Sequence, residues 1–230
     1  MKTLGLIGGT SWVSTTDYYR IINQEMNRRL GSLNSAKLFL YSLNYEEFKP
    51  GSDSATLERM ADQLTAISIK LQTAGADCIL LCANTPHMVA DDVQKNISIP
   101  LIHIAEVTAR EIAKQKINKV ALLGTKFTME LSFFKETLSA VGITTLIPDD
   151  AERDFIHATI FNELGKGIFT KETKEKYLEI IDRLVKQGAE GVIFGCTEIP
   201  MLIKENECSI PVFDTMLIHA KAAVDFALTD

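Results

Sequence analysis

At 230 residues, with 46% hydrophobic and 23% charged side chains, the chain holds enough apolar material for one large core or two smaller ones. Its formal net charge of -6 and isoelectric point near 5.3 come with no basic cluster to neutralise phosphates, which argues against nucleic acid or an anionic membrane as partner. No apolar run approaches the roughly 18 residues of a membrane-spanning helix, and the opening MKTLGLIGG is too short for a signal-peptide core, so a cytoplasmic protein is expected.

In chain order, LGLIG from Leu4 reads as a strand, TTDYYRIINQEMNRRL from Thr15 as a helix and KLFLYSL from Lys37 as a strand. Next come a helix in SATLERMADQLTAISIKLQTAG from Ser54, strands in DCILLC from Asp77 and PLIHI from Pro100, and a helix in AEVTAREIAKQ from Ala105. The strand KVALLG from Lys119, the helix TMELSFFKETLSAVG from Thr128, the strand TTLIP from Thr144 and the helix TKETKEKYLEIIDRLVKQG from Thr170 follow. Strands GVIFGC from Gly191 and IPVFD from Ile210 close the series. Short apolar runs bounded by turn formers suit buried parallel strands, and their alternation with helices predicts an α/β fold with mostly parallel sheets.

The order repeats. GADCILLCANT (Gly75 to Thr85) aligns without a gap on GAEGVIFGCTE (Gly188 to Glu198), an offset of 113. SIPLIHIAEVTA from Ser98 matches SIPVFDTMLIHA from Ser209 at 111, and LGLIGGTS resembles the segment around KVALLGTKFT near 116. We read two pseudosymmetric α/β domains, residues 1–104 with 214–230 and residues 105–213, with ligands expected at the carboxyl ends of the strands.

The two copies differ where chemistry is expected. In LLCANTPH and IFGCTEIP, Cys196 aligns with Ala83 and Cys82 with Gly195. Successive side chains of a strand point to opposite faces, so Cys82 is not the counterpart of Cys196 and reads as a buried structural thiol. The four cysteines, 78, 82, 196 and 208, form no C-x-x-C pair and have no histidine at ligand spacing, so free thiols and no metal are expected. GLIGGT is not the dinucleotide fingerprint, and no phosphate-binding loop motif occurs.

The paired NT and GCTE signatures, GLIGG with TSW, and LLGT in the second half together resemble the aspartate/glutamate racemase family of cofactor-independent amino-acid racemases. The resemblance covers essentially the whole chain. It implies an isomerase needing no cofactor, an amino-acid substrate, a homodimer, and one cysteine from each half flanking the substrate α-carbon. Cys196 falls on the second catalytic cysteine, and Ala83 stands where the first is expected. Alanine holds no proton, which puts a symmetric two-thiol mechanism in doubt.

Several residues are drawn in by this resemblance. Cys196 is expected to act as base, its pKa lowered by nearby amides and a following helix. Asn84, Thr85 and Thr197 suit donation to the substrate carboxylate. Thr10, Ser11, Thr125 and Thr128 are further donors or simple helix caps. Lys166, in GKG, matches a family lysine that meets the side-chain carboxylate, or is a solvated turn residue. Glu198 orients the thiolate or sits in a first helical turn. The second proton carrier is a water, Thr85, His87 or Cys82. A single-cysteine decarboxylase relative and a non-catalytic binder of an acidic metabolite stay open as alternatives.

Overall fold

The computed structural model describes residues 1–229. The chain forms two compact units, Met1–Ile104 joined by the segment from Met216 onward, and Ala105–Thr215.

The first unit contains β1 (Leu4–Gly8), α1 (Trp12–Leu30), β2 (Leu38–Ser42), the single turn α2 (Tyr45–Phe48), α3 (Ser54–Thr73), β3 (Cys78–Leu81), a 3-10 turn (Thr85–Val89) and α4 (Ala90–Lys95). Its sheet is parallel, in the order β2-β1-β3. The central strands are buried throughout because helices cover both faces. Leu4, Leu6, Cys78, Leu80 and Cys82 pack against Tyr18, Ile22 and Met26 of α1 and the apolar side of the last helix. On the other face Ile7, Ile79 and Leu81 meet Met60, Leu64, Ile67 and Leu71 of α3. The spacing i, i+4, i+8 on α1 puts three large side chains on one stripe, and each buried apolar side chain contributes roughly 1.5–3 kcal/mol.

The second unit follows α5 (Ile104–Lys114) with β4 (Lys119–Gly124), α6 (Lys126–Glu130), α7 (Ser132–Ser139), β5 (Thr144–Leu146), α8 (Asp150–Asn162) and a 3-10 turn (Leu164–Lys166). Then come α9 (Lys171–Lys186), β6 (Gly191–Gly195), the single turn α10 (Ile199–Leu202), a second 3-10 turn (Glu205–Glu207) and β7 (Val212–Asp214), after which α11 (Thr215–Leu228) returns the chain to the first unit. Its parallel sheet runs β5-β4-β6-β7.

The internal repeat is written into the strand register. Leu4 pairs with Cys78 as Val120 pairs with Gly191, which reproduces the offsets of 116 and 113. Ile79 bridges Leu101 as Val192 pairs with Val212, which reproduces 113 and 111. Ser11 caps α1 by accepting from the Ser14 amide, and Thr125 caps α6 by accepting from the Thr128 amide.

Three sequence expectations change. The run PLIHI is reduced to one bridging pair, because Pro100 has no N–H for a neighbour on that side. The helix expected through TMELSFFKETLSAVG is broken at Leu131, where the backbone is extended, and Lys135 Nζ donates to the freed Glu130 carbonyl at 2.7 Å. The helix α8 is additional to the elements expected from the sequence, and Asp149 and Glu152 start it with a capping box in which each side chain accepts from the other's backbone N–H.

Candidate functional site

In an open parallel sheet, ligands gather outside the carboxyl ends of strands where the strand order reverses. In the first unit that place lies between β1 and β3, in the second between β4 and β6. Thr10 and Ser11 follow β1, Asn84 and Thr85 follow β3, Thr125 and Thr128 follow β4, and Cys196, Thr197 and Glu198 follow β6. Lys166 alone lies elsewhere, exposed at the end of the 3-10 turn after α8, where Gly167 takes φ 74°.

Cys196, Thr197 and Glu198 form one buried network. The Cys196 thiol donates to Glu198 Oε2 at 3.0 Å, and the Thr197 hydroxyl donates to the same oxygen at 2.8 Å. Cys196 is 8% exposed and Glu198 4%. Among the described residues Glu198 makes no ion pair. Burial, then the Glu198 carboxylate, push the thiol well above its ordinary pKa, while the amides of Glu198 and Thr197 act in the opposite direction. The expected thiolate is therefore corrected to a protonated thiol in the unliganded chain. The following helix is a single turn, too short to build much of a dipole, and desolvation wins.

The corresponding strand end of the first unit has other chemistry. Cys82 lies on the same face as Cys78 and Leu80, inside the α1 side of the core, and burial pushes its thiol upward. Its repeat counterpart Gly195 has no room for a side chain: a Cβ there would lie 2.9 Å from the Leu123 carbonyl and 3.0 Å from Thr128 Cγ2. Position 82 thus faces its own core. Asn84 and Thr85 are buried, and Thr85 occupies the place that Glu198 has in the second copy.

His87 does not behave as the sequence suggested. Its Nδ1–H donates to the Ala83 carbonyl at 2.9 Å, while Nε2 has no hydrogen-bond partner among the described residues although His87 is only 2% exposed. Burial holds its pKa well below the ordinary value, and His103 and His219, whose ring centroids lie 4.8 and 5.6 Å away, add to the depression. A proton carrier titrating near neutrality is corrected to a neutral core imidazole. The histidine cluster escaped sequence reading because positions 87, 103 and 219 share no spacing pattern.

Ser11 and Thr125 use their hydroxyls as caps, and Thr128 is fully buried beneath Gly124 and Gly195. Thr10, half-buried, directly follows Gly9, whose N–H donates to Thr15 Oγ1 at 2.9 Å.

With this geometry established, residues 7–223 match the family model described as Asp/Glu/Hydantoin racemase. The chain belongs to the Asp/Glu/hydantoin racemase family. A candidate Asp/Glu racemase from Yersinia pestis is 45% identical, with full coverage of both chains and a TM-score of 0.93. An aspartate racemase homologue from Pyrococcus horikoshii OT3 is 37% identical, again over both whole chains, with a TM-score of 0.85. The broad specificity amino-acid racemase RacX of Bacillus subtilis is 24% identical over 164 residues, 68% of this chain and 67% of that protein. The racemase-type architecture, two parallel α/β sheets, is therefore the fold of this family member.

Proposed function

We propose that this chain is a cofactor-independent racemase of an acidic amino acid, aspartate or glutamate, with Cys196 as the principal proton-transferring group. The observation that supports this most directly is the buried Cys196–Thr197–Glu198 network at the carboxyl end of β6, in a member of a racemase family.

The α-proton of a free amino acid is weakly acidic, so charge that develops on the substrate carboxylate has to meet donors placed in advance. Backbone amides after β4 and β6 suit that role beside Cys196 without a basic side chain, and Thr10, Asn84 and Thr85 stand at the corresponding strand ends of the first unit. Lys166, exposed in a turn away from the strand ends, carries no part of this reading, and the preference for an acidic substrate rests on family membership alone. Ser11, Thr125 and Thr128 are assigned to holding the strand ends, since their hydroxyls are engaged or buried. The carrier for the other face of the α-carbon is assigned to a water or hydroxyl: Ala83 holds no proton, and His87 is kept neutral.

Ala83 favours one second reading, a single-thiol relative that protonates one face of a malonate-type acid. Proton NMR of L- and D-aspartate and glutamate in deuterated water separates the two. Exchange of the α-proton from both enantiomers, lost in Cys196→Ser and kept in Cys82→Ser, supports the racemase. Exchange lost with the Cys82 change alone sinks the assignment of Cys196, and no exchange with any of the four sends the test to malonate-type acids.

A homodimer also belongs to this proposal. The edge strand β2 leaves Phe39, Leu40 and Tyr41 exposed, and Trp12 at 74% and Leu33 at 97% exposure belong to the same unit. Uncovered apolar residues on a sheet edge suit a second copy. Light scattering of the wild type and of Leu40→Glu tests this, with a dimer and a monomer expected respectively. The four free thiols suit a reducing cytoplasm, and no helix among the described residues is long and apolar enough to cross a membrane.

A further inference from the structure

We propose that the buried histidines of the first unit form a proton-sensitive latch. While the rings of His87 and His219 are neutral, they hold together α1, α11, residues 102–104 and the strand end after β3; protonation of both rings releases α11. This goes beyond the racemase reading and does not depend on it.

Three of the chain's four histidines meet here. The His87 ring lies 4.8 Å from that of His103 and 5.6 Å from that of His219, centroid to centroid. His219 joins three segments: Nδ1 accepts from the Tyr18 hydroxyl of α1 at 2.9 Å, and Nε2–H donates to the Ile102 carbonyl at 2.7 Å. The chain leaves the first unit after Ile104 and re-enters it at Met216, so the bond to Ile102 ties the outgoing segment to the returning helix. His87 holds the Ala83 carbonyl, which fixes the strand end two residues before Thr85.

Neither ring has a place for a second proton. On His87 Nε2 it would be a buried donor with no acceptor among the described residues. On His219 Nδ1 it would meet a hydroxyl that already donates to that nitrogen, and Tyr18 would have to turn. The charges acting on His87 are those of His103 and His219, and the charge acting on His219 is that of His103, all of them repulsive to an imidazolium. Tyr18 of α1 and the thiols of Cys78 and Cys82 on β3 complete the titratable groups in this core, and burial keeps both thiols protonated. Glu106 and Asp214, the carboxylates next in sequence to the two crossings, act on neither His87 nor His219.

Burial accordingly holds both rings below the ordinary 6.5, His219 at about 4. An opened, wetted form binds a proton on each ring in that window and the closed form does not, so acid favours opening. Each proton taken up multiplies the opening equilibrium by about 10 per pH unit, and two by about 100.

The repeat shows that the fold does not require these rings. Under the offsets of 113 and 111, His87 and His103 correspond to Pro200 and Asp214, and His219 to Thr108. The second copy builds the same kind of parallel sheet without any of the three imidazoles.

Hydrogen exchange of the full chain, read by mass spectrometry from about pH 7 to about pH 5 and corrected for intrinsic rates, tests the latch. Protection in α11 and residues 85–104 is expected to fall by about 100-fold per pH unit, while β4 and β6 keep theirs. His87→Gln and His219→Gln are each expected to reduce the dependence to about 10-fold per unit. Loss of protection shared equally by both units, or a slope unchanged in either variant, overturns the proposal. Should a variant fail to fold, the wild type decides by labelling with dithiodipyridine, which attacks thiols in acid. Cys78 and Cys82, packed against α11, are expected to label faster relative to Cys208 as pH falls, and a ratio that does not rise overturns the latch.

Discussion

The Tyr18 hydroxyl on α1 donates to Nδ1 of His219 on α11 at 2.9 Å, and the other ring nitrogen, Nε2, donates to the Ile102 carbonyl at 2.7 Å. A carbonyl only accepts, so the proton of the neutral ring is on Nε2. Burial holds the His219 pKa at about 4, against an ordinary 6.5. The unfolded chain therefore binds a proton between these values that the folded chain refuses, and stability is lost as pH falls from about 6.5 to about 4. The loss from this residue is about 3 kcal/mol, which urea unfolding at a series of pH values measures. His219→Gln is expected to flatten the profile over that window. Tyr18→Phe leaves Nδ1 buried without a donor and is expected to cost about 1–3 kcal/mol at neutral pH.

The four thiols are expected to react in a set order. Cys208 is half-buried with its pKa raised to about 11, Cys78 is fully buried at about 12, and burial raises Cys82 and Cys196 as well. Mass spectrometry after iodoacetamide at pH 8 should find Cys208 modified first and Cys196 slower than an ordinary exposed thiol, accelerating as pH rises. Rapid labelling of Cys196 at neutral pH would contradict a protonated resting thiol.

Helix caps should show in stability without touching the reaction. Asp149→Ala removes half of the capping box of α8 and is expected to cost about 1–2 kcal/mol in chemical denaturation. Asp17→Asn breaks an ion pair with Arg20, whose side chain is half exposed, and should change stability by less than about 1 kcal/mol. Equal effects from the two changes would contradict this ranking.

Gly9 and Gly31 separate backbone strain from crowding. Both have positive φ, 88° and 69°, but a Cβ at Gly9 would lie 2.1 Å from the Leu43 carbonyl, whereas Gly31 faces open space. Gly31→Ala is expected to cost about 1–3 kcal/mol, for conformation alone. Gly9→Ala adds the clash with the Leu43 backbone to its conformational cost and should lower the melting temperature further than Gly31→Ala does.

Much of the architecture was legible because buried parallel strands leave continuous apolar runs, and because a duplicated unit repeats its spacing. The offsets of 113 and 111 read from sequence are those of the observed ladders. Alternation along β3 likewise turns Cys82 to the face opposite that of Ala83, and it packs there in the core against α1. The break at Leu131 was not legible, since both sides of it are helix-forming and the interruption shows only as an extended backbone. The capping box of α8 is legible in DDAE, although the helix behind it has too few regularly spaced apolar residues to stand out.

By itself the sequence determined most of the strand and helix pattern, the repeat and the alignment of Ala83 with Cys196, because these depend on local periodicity and on residue identity. Tertiary structure decided the chemistry of the groups. The protonated state of Cys196 follows from its burial beside Glu198, and the neutrality of His87 from enclosure with His103 and His219. Desolvation depends on what surrounds a group in space, and residues 16 or 132 positions apart in the chain, as His103 and His219 are from His87, leave no trace of their proximity in the order of the letters.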